Sequence, residues 1–228
     1  FMLMNTGKQI QHSKHGLLTT IAWGMNDEVM YALEGSVFIA GAAIQWLRDA
    51  LHLIDTAEDS AYFASKVGEG HDVYVVPAFA GLGAPYWDMD ARGAIFGLTR
   101  DTGKAHLVRA TLESLAYQTK DILSAMEQDA SIALKSLKVD GGAAANDLLM
   151  QFQADILNTT VERPAVIEST AMGAAFMAGI QAGLWQLHDV KENRKVAHQF
   201  NPQMGESTRT KLYRGWLKAI ERTKGWAG

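Results

Sequence analysis

The sequence predicts an α/β domain, for three reasons. Short runs with β-like apolar patterning alternate with longer runs of helical period. Glycine-containing turns separate them, and no internal repeat or low-complexity segment interrupts the 228 residues. The opening third reads as strands at residues 1–5, 17–23 and 29–33, divided by Gly7, Gly16 and the glycine-led turn at residues 24–27, which predicts a small antiparallel meander. From residue 36 to 53 the pattern turns helical: Val37, Ala40, Ile44, Leu47 and Leu51 recur at three- and four-residue steps and should pack one face.

Residues 73–79 form a continuous apolar run that predicts a buried strand, ended or placed at an edge by Pro77. A long loop follows at 81–88, then a possible strand at 94–98 and a turn at Thr102 and Gly103. The clearest helix lies at 106–127, where Val108, Leu112, Leu115, Thr119, Ile122 and Met126 form one stripe and Arg109 precedes Glu113 by four residues for modest support. A short strand is predicted at 135–139, a helix at 143–157, and an exposed strand at 160–166 interrupted by Pro164. The helix at 169–183 is crowded with small residues (Ala171, Gly173, Ala174, Ala175, Ala178, Gly179), which implies close approach to a neighbouring helix or a ligand. Tyr213, Trp216, Leu217 and Ile220 mark a last amphipathic helix.

Composition narrows the function. With 21 basic and 25 acidic side chains the formal charge is -4, so nothing in the charge balance favours nucleic acid or an anionic membrane. The absence of cysteine excludes disulfides, thiolate nucleophiles and cysteine-ligated metals, and agrees with a reducing, cytoplasmic setting. No apolar run approaches the ~18 residues of a membrane helix. The chain opens inside an apolar β-like run at Phe1, with no polar lead-in, so it is expected to be part of something longer. The sequon at Asn158 is read as chance.

One segment points to chemistry. In V-D-G-G-A-A-A-N, residues 139–146, a short strand runs into Gly141 and Gly142 and then into helix formers. Without β-carbons the chain can turn sharply and expose its N–H groups, which at a helix N-terminus suit an anion such as a phosphate. Other templates fail. The histidines lack the paired spacing of a zinc protease, and no G-x-S-x-G elbow occurs. The stretch 97–104 departs from a phosphate loop: five residues, rather than four, separate Gly97 from Gly103, and Ala105 stands where Ser or Thr is required. Asp88, Asp90 and Asp140 adjoin glycine-rich turns and are candidates for touching a metal-bound nucleotide, although such aspartates commonly serve the turn itself.

The run G-A-P-Y-W-D-M-D-A-R-G-A-I-F-G-L-T-R at 83–100, H-L-V-R-A-T-L-E at 106–113 and the glycine turn, in that order, resemble the C-terminal signature of the FGGY carbohydrate kinases. Within that family the likeness is to the branch that acts on glycerol, and it is weakest at 186–210. The resemblance implies an RNase H-like, actin-like ATPase domain with a mixed sheet flanked by helices, the whole chain being the second of two such domains around a cleft. It implies ATP and Mg²⁺ as cofactors, glycerol 3-phosphate as product, and a homo-oligomer when full length. It places Gly142 near the phosphates and adenosine, Asn146 on the adenine side, and Gly41 and Gln45 across the same pocket, with Phe1 lining the polyol site. One helical turn separates Gly41 from Gln45, which puts both on one face.

The same resemblance puts the catalytic aspartate, the phosphate-contacting Thr and Ser residues and most polyol contacts in the other domain, so this chain alone is expected to be inactive. Phosphoryl transfer rests on positioning and on stabilising charge spread over oxygens, which half a cleft does not supply. Two alternatives stay open: a family member acting on xylulose, ribulose or gluconate, and a non-catalytic actin-like nucleotide-binding module.

Overall fold

The computed structural model describes all residues except Asn26, Glu69 and Arg194. Asn26, part of the turn predicted at 24–27, therefore lies outside the described residues.

The first sheet contains β1 (Met2–Gly7), β2 (Leu18–Met25) and β3 (Glu28–Gly35). All pairing in it is antiparallel, but the order is β1-β3-β2, so the third strand lies between the first two and the predicted meander order is wrong. The middle strand is the most buried: Ala32, Leu33 and Gly35 are inaccessible, and Leu33 faces Met4 on one side and Thr19 on the other.

Helix α1 starts at Gly41, five residues later than the pattern suggests, and after Gln45 widens into a π turn at Trp46–Ala50. A π turn takes an extra residue per turn and so rotates the side chains beyond it out of the original stripe. Ile44 and Leu47 stay buried, while Leu51, the last member of the predicted stripe, is exposed. A short α2 (Asp59–Ala64) comes next, unsignalled by apolar period. Strands β4 (Tyr74–Val76) and β5 (Ala94–Phe96) form an antiparallel pair, and β4 stops before Pro77 as expected.

Helix α3 (Lys104–Ala130) is the spine of the domain. Five of the six predicted stripe residues, Val108, Leu112, Leu115, Ile122 and Met126, are nearly inaccessible, while Thr119 is half-buried, and from Val108 to Tyr117 every face of the helix is buried. The Arg109–Glu113 pair, expected to give modest support, forms and is buried, with Nε 2.7 Å from Oε1 and a second donation from Arg109 Nη1 to the Val67 carbonyl. That bond ties the loop after α2 to the spine. At the other end of α3, Asp129 accepts from the backbone N–H of Lys14 at 2.9 Å and meets His15 Nδ1 at 2.6 Å, fixing the β1–β2 connection.

The second sheet is β6 (Ser136–Lys138), β7 (Thr160–Pro164) and β8 (Val196–Phe200), with β6 parallel and β8 antiparallel to β7. Here the expectation of an exposed strand at 160–166 fails: β7 is central and Val161 is fully buried. Pro164 does not interrupt the strand; it is its last residue, beside a register shift against β8. Helices α4 (Asp147–Leu157), α5 (Ser169–Gln181), α6 (Leu187–Asn193) and α7 (Glu206–Thr223) complete the chain. Trp216 of α7 stacks on Tyr117 of α3 at 5.3 Å and donates from Nε1 to the buried Asp121 at 2.8 Å. The small residues of α5 do not pack as predicted. Ala171, Gly173, Ala174, Ala175 and Ala178 are not buried, and only Gly179 is, against the Trp185 ring.

Candidate functional site

The glycine turn forms where β6 hands the chain to α4. Gly141 adopts φ +79°, a conformation that side chains rarely tolerate, so glycine there is required by the turn itself. The helix predicted from 143 does not start there. Residues Gly142–Ala145 make a single 3-10 turn, and α4 begins at Asp147 after Asn146 in an extended conformation. Asn146 is the N-cap: its Oδ1 accepts from the Leu149 N–H at 3.1 Å. Asn leading into an acidic first turn is a helix-start signature that would locate this break from sequence.

The result is a loop whose N–H groups are available. Gly141 N–H is taken by the Ile167 carbonyl at 3.0 Å, and Ala144 N–H returns to Gly141. The N–H groups of Gly142 and Ala143 have no acceptor among the described residues. From the opposite side, Arg163 of β7 staples the turn, donating from Nη1 to the Ala144 carbonyl at 2.9 Å and to Asp147 Oδ1 at 2.7 Å. Carbonyls held by Arg163 on one side leave the free N–H groups to the other.

The turn borders a cavity of about 580 Å³, and its far wall comes from α1 and α2. All four residues expected to hold a nucleotide line it: Gly41 and Gln45 from α1, Gly142 and Asn146 from the turn. They lie about a hundred residues apart in sequence and meet because α1 and α4 both rest on α3, through Ile44, Leu112 and Leu149. A β-carbon added at Gly41 or at Gly142 would meet nothing within 4 Å, so each glycine opens directly onto empty space. The two walls are tied by Asn146 Nδ2, which donates to Ser60 Oγ at 3.3 Å. With one bond on each end of its amide, Asn146 keeps one N–H and one lone-pair direction for a ligand.

Ser60 and Arg163 carry the geometry of this cavity and are not predicted by the sequence; neither stands in a motif, and only the fold brings them to the turn. Arg48, Glu58 and Asp147 put charge on the rim. Next to it, hydrogen bonds from the Thr56 N–H, and secondarily from Asp55, hold the Asp59 carboxyl below its ordinary range, against a smaller effect of burial.

Phe1 lies elsewhere. It is 90% exposed and lines a second cavity of about 490 Å³ that shares Ala143 and Leu149 with the first. Asp140 borders this second cavity. Asp88 serves its own turn: Oδ1 accepts from the N–H groups of Asp90 and Ala91, and Oδ2 from Gly225 at 2.9 Å. Among the described residues no group of three His, Asp or Glu side chains converges to hold a metal ion, and no helix is long and apolar enough to cross a membrane.

Residues 1–182 match the model of the FGGY family of carbohydrate kinases, C-terminal domain. The chain belongs to that family. Among curated relatives, glycerol kinase of Natranaerobius thermophilus is 63% identical over 227 residues, covering 100% of this chain and 46% of its own length. Glycerol kinase of Carboxydothermus hydrogenoformans is 64% identical, covering 99% and 45%. The chain thus spans less than half the length of the relatives it matches. The crystal structure of Plasmodium falciparum glycerol kinase with ADP superposes with a TM-score of 0.89 at 39% identity, over 97% of this chain and 44% of that one. The gluconate kinase of Lactobacillus acidophilus, 24% identical with a TM-score of 0.82 over 96% of this chain and 44% of that one, shares the fold. The architecture is the actin-like ATPase fold of the sugar kinases.

Proposed function

We propose that this chain is the nucleotide-binding half of an ATP-dependent glycerol kinase, which phosphorylates glycerol to glycerol 3-phosphate, and that it is inactive without the other half. The observation that carries the reading is the convergence of Gly41, Gln45, Gly142 and Asn146 on one cavity, with two free N–H groups at the turn. Support for glycerol as the polyol comes from relatives of that name at 60–64% identity over nearly the whole chain.

In this reading the adenosine lies between α1 and the turn, where the missing β-carbons of Gly41 and Gly142 leave room. The free Gly142 and Ala143 N–H groups receive phosphate oxygens, in charge-assisted bonds stronger than neutral ones. Arg163 holds the turn carbonyls away, so the donors are aimed before the ligand arrives, and little reorganisation accompanies binding. Phe1 offers a flat apolar face to the carbon backbone of the polyol. Bound Mg²⁺ would neutralise phosphate charge; it is usually held by one or two carboxylates and the phosphates themselves, and we assign its protein ligands to the other half. The base that takes the proton from the attacking hydroxyl belongs there too, as do most polyol contacts. Closure of the halves would exclude water and align hydroxyl and phosphorus. The full-length protein is taken to act in the cytoplasm as a homo-oligomer.

The test is a coupled ADP-release assay with glycerol, xylulose, ribulose and gluconate. The full-length protein is expected to turn over with glycerol in preference to the others, and the 228-residue chain to bind ADP without turnover. Turnover by the chain alone near the full-length rate would refute the division of labour, and preference for another polyol would refute the substrate.

A further inference from the structure

Of the polar side chains that line the cavity between α1, α2 and the glycine turn, only Ser60 is buried, at 1% exposure. Its hydroxyl is fully committed. Oγ donates to the Ala57 carbonyl at 2.5 Å and accepts from Asn146 Nδ2 at 3.3 Å. A hydroxyl has one proton, so the bond to Ala57 leaves Oγ able only to accept from Asn146. The nitrogen end of the Asn146 amide therefore faces Ser60, while its oxygen end caps α4 through the Leu149 N–H at 3.1 Å. Turning the amide over would set Oδ1 against the Ser60 oxygen and Nδ2 against the Leu149 donor, leaving both ends unpaired. The stretch that carries Ser60 is itself fastened to the spine helix: Lys104 Nζ lies 3.7 Å from the centre of the Phe63 ring, and Arg109 donates to the Val67 carbonyl.

An amide locked in this way sorts purines. It presents an N–H beside a lone pair, and a 6-amino purine presents the complement, a ring nitrogen that accepts beside an amino group that donates. A 6-oxo purine carries an accepting oxygen in place of the amino group, so oxygen meets oxygen; only a reversed amide would suit its N1–H and O6 edge. Gln45, across the cavity, makes no side-chain hydrogen bond among the described residues, so it can present either end of its amide to either kind of base.

We propose that Ser60 is a positioning residue that sets base selectivity: by holding the Asn146 amide in one orientation, it makes the site prefer 6-amino to 6-oxo purine nucleotides. This rests on the nucleotide occupying the cavity as read above, and it adds the class of base and the residue that enforces it. Ser60 acts through Asn146 rather than by touching the ligand.

Titration calorimetry with ADP and with IDP, its 6-oxo counterpart, on the full-length protein and its Ser60→Ala variant tests it, with thermal unfolding as the control for folding. The unaltered protein should bind ADP at least about tenfold more tightly than IDP, the scale of one mispaired polar group. In Ser60→Ala the amide can pivot about its cap bond. ADP affinity should then fall about five- to tenfold and IDP affinity stay within about twofold, so the preference shrinks by nearly the same factor. Ser60→Thr, which keeps the hydroxyl, should retain the preference. A wall that merely loosened would weaken both nucleotides alike, so an unchanged ratio in folded Ser60→Ala overturns the proposal. Affinities for ADP and IDP within about twofold in the unaltered protein sink it outright. Should Ser60→Ala not fold, Ser60→Cys, whose thiol accepts only weakly, takes its place with the same expected loss of ratio. Gly142→Val isolates the underlying reading: if it spares ADP binding, the nucleotide lies elsewhere and both conclusions fall. If it weakens ADP binding while Ser60→Ala leaves the ratio untouched, only the role of Ser60 falls.

Discussion

Replacing Gly142 with valine separates the ligand role of the turn from its structural role. A β-carbon at Gly142 meets nothing within 4 Å and φ lies in the ordinary range, so the folded chain should tolerate the change within about 0.5 kcal/mol. The same β-carbon projects into the cavity lined by Asn146 and Gln45, in the space assigned to the nucleotide. Displacing one phosphate oxygen from one N–H removes a hydrogen bond to a charged group, worth about 1.5–3 kcal/mol, which is roughly a 10- to 150-fold loss of affinity. Titration calorimetry with ADP, alongside thermal unfolding, reads both quantities. The companion Gly141→Ala should behave oppositely: at φ +79° and ψ 175° a β-carbon is strained by about 1–3 kcal/mol, so stability falls first and binding falls with it. ADP affinity within about twofold of the unaltered protein in a folded Gly142→Val variant would refute the placement of the phosphates.

Named contacts elsewhere lead to three more expected outcomes. Arg163→Ala removes the staple on the Ala144 carbonyl and Asp147 and should weaken ADP binding about tenfold without touching the ligand; unchanged binding would mean the turn holds its shape unaided. Glu113→Ala leaves the Arg109 guanidinium buried and uncompensated, so chemical denaturation should show a loss of about 3 kcal/mol, and less than about 1 kcal/mol would mean that water reaches it. Burial pushes the Asp121 carboxyl up to about 6, despite donations from Tyr213, Trp216 and Tyr86. The native state therefore binds more protons than the unfolded chain between the ordinary carboxylate value and about 6, and this contribution to stability is lost as pH rises through that window. Relative to Asp121→Asn, the unaltered protein should lose about 3 kcal/mol over it, and parallel pH profiles of the two would contradict the assignment.

Local pattern makes part of this fold legible. The α3 stripe is readable because Val108, Leu112 and Leu115 enter one core cluster and Ile122 and Met126 the other, so the 3.6 period runs from Val108 to Met126 with Thr119 as its one half-buried step. Strand pairing is not readable: β1-β3-β2 places neighbours by register, and nothing in the runs at 1–5 or 17–23 says which edge they take. Pro164 misleads because a proline reads as an edge signal, whereas here it ends a central strand whose Val161 is fully buried. Small residues in α5 suggest a packing face, but smallness alone does not say whether anything covers it. Of the candidate site, Gly141 and Gly142 announce a sharp turn by themselves. Their meeting with Gly41 and Gln45 is tertiary and is reached only through the family resemblance, while Arg163 and Ser60 leave no local trace.

The spine helix links the cavity to a distant part of the molecule. Leu112 borders the cavity lined by Gly41, Gln45, Gly142 and Asn146, and Asp129, further along the same 27-residue rod, grips the β1–β2 connection through Lys14 and His15. The stretch between them, about 17 residues, spans about 26 Å at the usual rise, so each ~5° of pivot at the Leu112 end swings the Asp129 end by roughly 2 Å. A change in how the cavity wall seats on the rod is thereby geared up, with the β1–β2 connection at the remote tip as its pointer.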